Sequence, residues 1–219
     1  MPELVPHPDN PPAHSGAGAP VRGIRVAVER RGGAVLALQF VIEADPGALR
    51  LPAPVTSPGR RDGLWRHTCL EVFVAADAPA GVERPYVEFN FAPSGEWAAY
   101  AFDGYRRGQR TLQPATPVSI GCETHPTGMQ LRAVADASSL FGPSGTTGRS
   151  ARRPVLAVAL AAVVEGADGS LAYWALRHAP GRPDFHAPAA FALVLDPASG
   201  DNAPPGHPVV NAKAAPPLR

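Results

Sequence analysis

The chain has 219 residues, 45% of them hydrophobic, and a formal net charge of +1 from 20 Lys+Arg against 19 Asp+Glu. That is enough apolar material for one domain with a real core, and the near-neutral balance, with no basic stripe on any segment, argues against a nucleic-acid partner. All basic residues but Lys213 are Arg, beside 27 Pro and 22 Gly, which reads as coding bias rather than function.

Residues 1–20 are rich in Pro, Gly, His and Asn without periodicity and predict a flexible N-terminal tail. They contain neither the basic start nor the apolar run of a signal peptide. The longest apolar run, Pro154 to Val164, is too short for a membrane span of about 20 residues. A cytoplasmic protein without membrane contact is expected. Strand patterning begins at Val21–Glu29 and resumes at Ala34–Ala44 after Arg-Arg-Gly-Gly, a hairpin signal. A Pro-rich loop leads to a strand over Arg66–Ala76. Tyr86–Ala92 and Trp97–Phe102 flank Pro-Ser-Gly-Glu as a second hairpin. Val118–Glu123 and Met129–Ala135 flank His-Pro-Thr-Gly as a third, and Asp136–Phe141 suggests a helical turn. Val155–Val164 is apolar throughout, so periodicity fits a buried strand or a buried helix segment, and the flanking Pro154 and Gly-rich turn favour a central strand. Ser170–His178 completes a fourth hairpin, Phe191–Asp196 closes the domain, and 197–219 reads as a second flexible tail. About ten short strands at hairpin spacing, without long amphipathic helices, predict one all-β domain over 21–196, an antiparallel β-sandwich of jelly-roll type.

The stretch 64–105 is the most informative. It holds two of the three Trp and three of the four Tyr, interleaved with Glu, Asn and Arg. Strand alternation places Trp65, His67, Cys69, Glu71 and Phe73 on one side, with Arg66, Thr68, Leu70, Val72 and Val74 on the other, which reads as core. In the next strand Val87, Phe89 and Phe91 form the core set, while Tyr86, Glu88 and Asn90 point the opposite way. Two readings follow. Glu71 and Glu88 belong either to a polar patch bordered by aromatics, suited to a flat or hydroxyl-rich ligand, or to the wetted face of an antiparallel sheet. Trp97 and Tyr100 alternate, so at most one joins the patch, and Tyr100 is assigned to the core.

Catalytic motifs are missing. No Gly-rich phosphate loop, Cys-x-x-Cys, His-x-x-x-His or Gly-x-Ser-x-Gly occurs. A Glu71/Glu88 glycosidase pair has the right chemistry but no sign of the right spacing. The chain is therefore read as a binding protein, not an enzyme, without cofactor or metal. Cys69 and Cys122 are read as buried thiols used as small hydrophobes, with a disulfide as the other option.

The segments Leu-Trp-Arg-His-Thr-Cys-Leu-Glu-Val-Phe, Tyr-Val-Glu-Phe-Asn-Phe-Ala-Pro-Ser-Gly-Glu-Trp-Ala-Ala-Tyr and Phe-Asp-Gly-Tyr-Arg resemble bacterial DOMON-like proteins, which are related to family 9 carbohydrate-binding modules. The likeness continues through Leu131–Phe141, Ala172-Tyr-Trp-Ala-Leu-Arg-His and Pro183-Asp-Phe-His-Ala-Pro, covering about residues 21–196. It implies a β-sandwich that binds a saccharide-like ligand without transforming it. Because such modules clamp a sugar between two Trp rings, the resemblance implies Trp65 and Trp174 as the rings and Glu71 as the hydrogen-bonding carboxylate. The full candidate set is Trp65, His67, Glu71, Glu88, Asn90, Trp97, Trp174 and His178. The alternatives are a protein-interaction module using the aromatic face and, more remotely, a haem site of the kind other DOMON relatives build from Met and His, for which Met129 is the internal Met.

Overall fold

Runs of alternating apolar residues, punctuated by Gly-containing turns, become strands along almost the whole chain. The computed structural model describes residues 1–14, 19–77, 79, 82–141, 154–196 and 213–214. In order the strands are β1 (Glu3–Pro6), β2 (Val21–Arg30), β3 (Val35–Ala44), β4 (Cys69–Ala76), β5 (Tyr86–Phe91), β6 (Trp97–Phe102) and β7 (Arg110–Thr111). They continue with β8 (Ile120–His125), β9 (Gly128–Asp136), β10 (Leu156–Glu165), β11 (Leu171–Ala175), β12 (Leu193–Leu195) and β13 (Lys213–Ala214). The helical elements among the described residues are 3-10 turns of three or four residues, including Ser138–Phe141 where a helical turn is expected. None is long and apolar enough to cross a membrane.

Hydrogen-bonded neighbours run β7-β6-β5-β4-β10-β11-β1-β2-β3-β9-β8, with β12 beside β10 and β13 beside β12. The result is an all-β chain built as one strongly curled antiparallel sheet, a half-barrel. All four predicted hairpins form, as β2–β3, β5–β6, β8–β9 and β10–β11. At the start of β9 only glycine fits: a Cβ on Gly128, whose φ is +146°, would lie 1.9 Å from the Ile42 carbonyl oxygen.

The concave side of the curl holds the main core. Ile24, Val26, Phe40 and Ile42 from one arm meet Leu70, Val72, Phe89, Leu160 and Val164 from the other, all at 1% exposure or less. Burying a side chain of this size stabilises by about 1.5–3 kcal/mol. The convex side of the β5–β4–β10 arm is also covered. Phe185, Ala190 and Phe191, from the segment after β11, roof a second apolar cluster that includes Phe73, Tyr86, Phe102 and a row of alanines on β10. The roof is tied down where Asp184 accepts hydrogen bonds from Arg106 at 2.8 Å and from the Tyr105 hydroxyl. This sheet face is therefore not wetted.

Two expectations need correction. Residues 3–14 are not a loose tail. β1 bridges β2 and β11, Leu4 is 1% exposed, and the Asn10 side chain both donates to Tyr173 O (3.1 Å) and accepts from Tyr173 N–H (2.8 Å). Backbone pairing and a bidentate amide hold this segment, so its lack of apolar periodicity was misleading. Residues 197–212 and 215–219 of the expected C-terminal tail lie outside the described residues, whereas 213–214 pair with β12. The second correction concerns Arg66. Gly63 has φ 78° and the chain then makes a 3-10 turn over Leu64–Arg66, closed by Arg66 N–H to Gly63 O and His67 N–H to Leu64 O. The strand starts only at Cys69, so Trp65 and His67 do not share its alternation.

Candidate functional site

A groove of about 410 Å³ opens at the end of the sheet where β10, the β5–β6 turn and the 3-10 turn 64–66 meet. Its frame begins with buried Thr68. The Thr68 hydroxyl donates to Arg50 O (2.8 Å) and accepts from Glu165 N–H (3.0 Å), while Arg50 N–H donates to Glu165 O (2.8 Å). The last residue of β10 is thereby locked to the Pro-rich loop. The loop also crosses the β5–β6 hairpin through Val55 N–H to Ser94 O and Arg61 N–H to Trp97 O.

Charged side chains then line the groove in fixed pairs. Glu165, only 4% exposed, accepts from Arg50 at 3.0 Å and from His67 Nδ1–H at 2.7 Å. Burial pushes its carboxyl up, but those two donors outweigh burial and hold it below the ordinary carboxylate range. Glu96 accepts from Arg61 (3.1 Å) and from the Ser94 hydroxyl (2.9 Å). Asp62 accepts from Arg60 and from the Tyr100 hydroxyl (2.5 Å), and the Arg60 hydrogen bond leads the causes that depress its carboxyl.

Behind the 3-10 turn, on the roofed convex face, lies a second polar group of opposite character. Glu71 pairs across the strands with Asn90, and Glu88 with Phe73 and Tyr100. Glu71, Glu88 and Asn90 are 3%, 5% and 0% exposed. Asn90 Nδ2–H donates to Glu88 Oε1 at 2.6 Å, while Glu71 Oε1 is buried with no partner. Burial raises the Glu88 carboxyl to about 7 and, joined by repulsion from Glu88, lifts Glu71 well above its usual range. Among the described residues no Arg or Lys pairs with them directly, and Arg106 acts on Glu88 only weakly through its charge. Arg106 N–H donates to the Tyr86 hydroxyl (3.2 Å), which leaves the phenolic proton for His186 Nδ1 (2.8 Å). His186 is then an Nε2–H tautomer beside Glu88, and burial lowers its imidazole to about 4. Burial thus favours the protonated form of Glu71, and of Glu88 up to about pH 7.

The expected site residues separate accordingly. The register brings Glu71, Glu88 and Asn90 together, as one of the two readings anticipated, but seals them under the roof. Tyr100, assigned to the core, shares their face, whereas Trp97 packs against the main core on the concave side. His67 lines the groove. Trp65 stands 40% exposed on the 3-10 turn, edge-on to Tyr100 at 6.1 Å. Trp174 is 5% exposed inside the concave core, opposite Ala162 on β10. A clamp between Trp65 and Trp174 is therefore ruled out. His178 lies apart, its Nε2–H donating to Val5 O (2.9 Å) and its ring edge-on to His7. Met129 packs in the concave core, and both cysteines are free. Among the described residues no cluster of three or more His, Cys, Asp or Glu is placed to hold a metal.

Sequence reasoning missed Arg50, Arg66, Ser94, Glu96 and Glu165. Glu165 carried a readable signal, being the one charge that ends an otherwise unbroken apolar strand. The others sit in loops, where spacing does not reveal proximity. The chain matches no protein-family model and no curated protein.

Proposed function

We propose that this chain is a non-catalytic binding domain for a small, hydroxyl-rich ligand of the saccharide class, seated in the groove at the 3-10 turn. In this reading the two arms of the curled sheet serve as the layers of the expected sandwich, and the loops at one end carry the ligand. The observation that carries it is the groove itself: a hollow of about 410 Å³, within the usual size range of small-molecule sites, walled by guanidinium, imidazole and hydroxyl groups hydrogen-bonded to carboxylates on a backbone frame that the Thr68 hydroxyl ties together. Hydroxyl groups are recognised by such preset donors and acceptors. The sealed carboxyl pair favours binding over hydrolysis, because a glycosidase needs both carboxyl groups at the sugar.

Calorimetric titration with a panel of mono- and disaccharides, both neutral and acidic, tests this. Binding is expected at one site per chain, with the ligand recovered unchanged. Trp65 gives an optical reporter, as the most exposed of the three indoles: its emission should shift on binding, and Trp65→Phe should remove the shift while heat of binding remains. No binding across the panel, or conversion of a bound sugar to product, overturns the reading.

A further inference from the structure

We propose that the groove selects a ligand bearing a carboxylate or phosphate, and that Arg66 is the residue on which that group sits; this rests on the reading of the groove as a ligand site. The argument is an inventory of donors and acceptors. Three carboxylates line the groove, and each oxygen already accepts a bond. In Glu165, Oε1 takes Arg50 and Oε2 takes His67. In Glu96, Oε1 takes Arg61 and Oε2 takes the Ser94 hydroxyl. In Asp62, Oδ1 takes Tyr100 and Arg60, and Oδ2 takes Arg60 again.

The donors are not used up. Arg50 and Arg61 each commit one guanidinium nitrogen to a carboxylate, and their side chains are 63% and 67% exposed. The Arg66 side chain lines the same groove and makes no hydrogen bond or ion pair among the described residues. A guanidinium presents five N–H donors and no acceptor. Each carboxylate oxygen thus accepts at least one bond already, while most guanidinium N–H groups of the groove are uncommitted, so donors are in excess. A neutral sugar, whose hydroxyls both give and take, would use only part of that donor surplus. An anionic group, which only accepts, fits the surplus and gains charge-assisted, two-pronged bonds from an Arg fork.

Position strengthens the assignment. Arg66 is the last residue of the 3-10 turn, directly before His67, whose Nδ1–H is spent on Glu165. Gly63 and the closing hydrogen bonds of the turn fix the backbone from which Arg66 projects, so its reach into the groove is set by the fold.

The test compares matched pairs in the full chain by calorimetry: glucuronate against glucose, and glucose 6-phosphate against glucose, with inorganic phosphate alone as a third arm. At least tenfold tighter binding of an acidic member than of its neutral parent is expected, weakening as salt rises. The carboxylate and phosphate arms then distinguish the two sources of charge. Arg66→Gln should erase the preference without changing the melting temperature, and Arg66→Lys should keep part of it. If neutral and acidic sugars bind alike, or the preference survives in Arg66→Gln, the inference fails while the saccharide reading stands. Binding of inorganic phosphate as tight as the sugar phosphate, or of no sugar at all, overturns both.

Discussion

The groove and the roofed carboxyl pair lie on either side of one 3-10 turn, yet they treat the same side chain in opposite ways. Glu165 is buried, but hydrogen bonds from Arg50 and His67 hold its carboxyl below the ordinary range. Glu71 and Glu88 are buried with no directly paired Arg or Lys among the described residues, so desolvation raises both carboxyl groups. Burial alone therefore does not mark a working carboxylate. What separates the regions is whether donors reach the oxygens and whether solvent reaches the donors. The groove is wet, charged and matched. The roofed cluster is buried, with both carboxyl groups raised, and it sits within the packing of the convex face. A recognition role belongs to the former, and the latter shows up as stability that depends on pH.

The largest expected effect sharpens that division from the core side. Trp174→Ala should destabilise by about 3–5 kcal/mol, the usual cost of deleting a large buried aromatic, read as a fall in the denaturation midpoint. Its Nε1–H has no partner among the described residues, so Trp174→Phe should recover much of the loss. Ligand affinity of the folded fraction should be unchanged in both. A specific loss of affinity in Trp174→Phe would return this indole to the site.

Next comes the roofed pair. A carboxyl with a folded pKa raised above its unfolded value is fully stabilised below the latter and loses that advantage as pH rises through the former. For Glu88 the window runs from the ordinary value of 4.5 to about 7. Stability should fall across it by roughly 3 kcal/mol, with Glu71 continuing the loss above it. Glu71→Gln and Glu88→Gln should each flatten the profile, measured by urea unfolding from pH 5 to pH 8. A profile that rises with pH would mean that a cation, Arg106 being the nearest candidate, pairs with the cluster after all.

Much of this contrast was legible beforehand, and the illegible part has a physical cause. Alternation located the core faces of β4 and β5 because a period of two is a local property. It also placed Glu71, Glu88 and Asn90 on one face. It could not show that Phe185, Phe191 and His186, a hundred residues later, would cover that face, since the covering segment carries no strand or helix period. Residues 64–68 were misread for a related reason. Leu-Trp-Arg-His-Thr alternates well enough to pass as strand, and the left-handed Gly63 that turns it into a 3-10 corner looks like any other loop glycine. Trp174 shares a face with Ala172 on a genuine strand, but which face is concave depends on the curl of the whole sheet.

A moderate effect is expected at Thr68. Thr68→Val keeps shape but leaves the Arg50 carbonyl and the Glu165 amide without their partner. An unsatisfied buried polar group costs about 1–3 kcal/mol, so a loss in that range is expected, together with weaker ligand binding because the groove wall loosens. A loss of stability with affinity intact would uncouple the frame from the site.

The smallest effect is the most diagnostic of the groove. Arg50 and His67 expose more than half of their side chains, so their attraction to Glu165 is screened. Because those donors depress the Glu165 carboxyl, its contribution is present above the ordinary value of 4.5 and disappears as pH falls below it. This slope is opposite in sign to that of the roofed pair. Glu165→Gln should therefore cost no more than about 1 kcal/mol at pH 7 and remove only the acid limb of the stability profile. Its effect on binding should be larger in proportion, since His67 and Arg50 lose the anchor that orients them. Chemical denaturation at pH 3.5 and pH 7, set beside calorimetry at pH 7, separates the two: a variant that loses stability at neutral pH but keeps its ligand would assign Glu165 to the scaffold and leave Arg66 to work without an oriented wall.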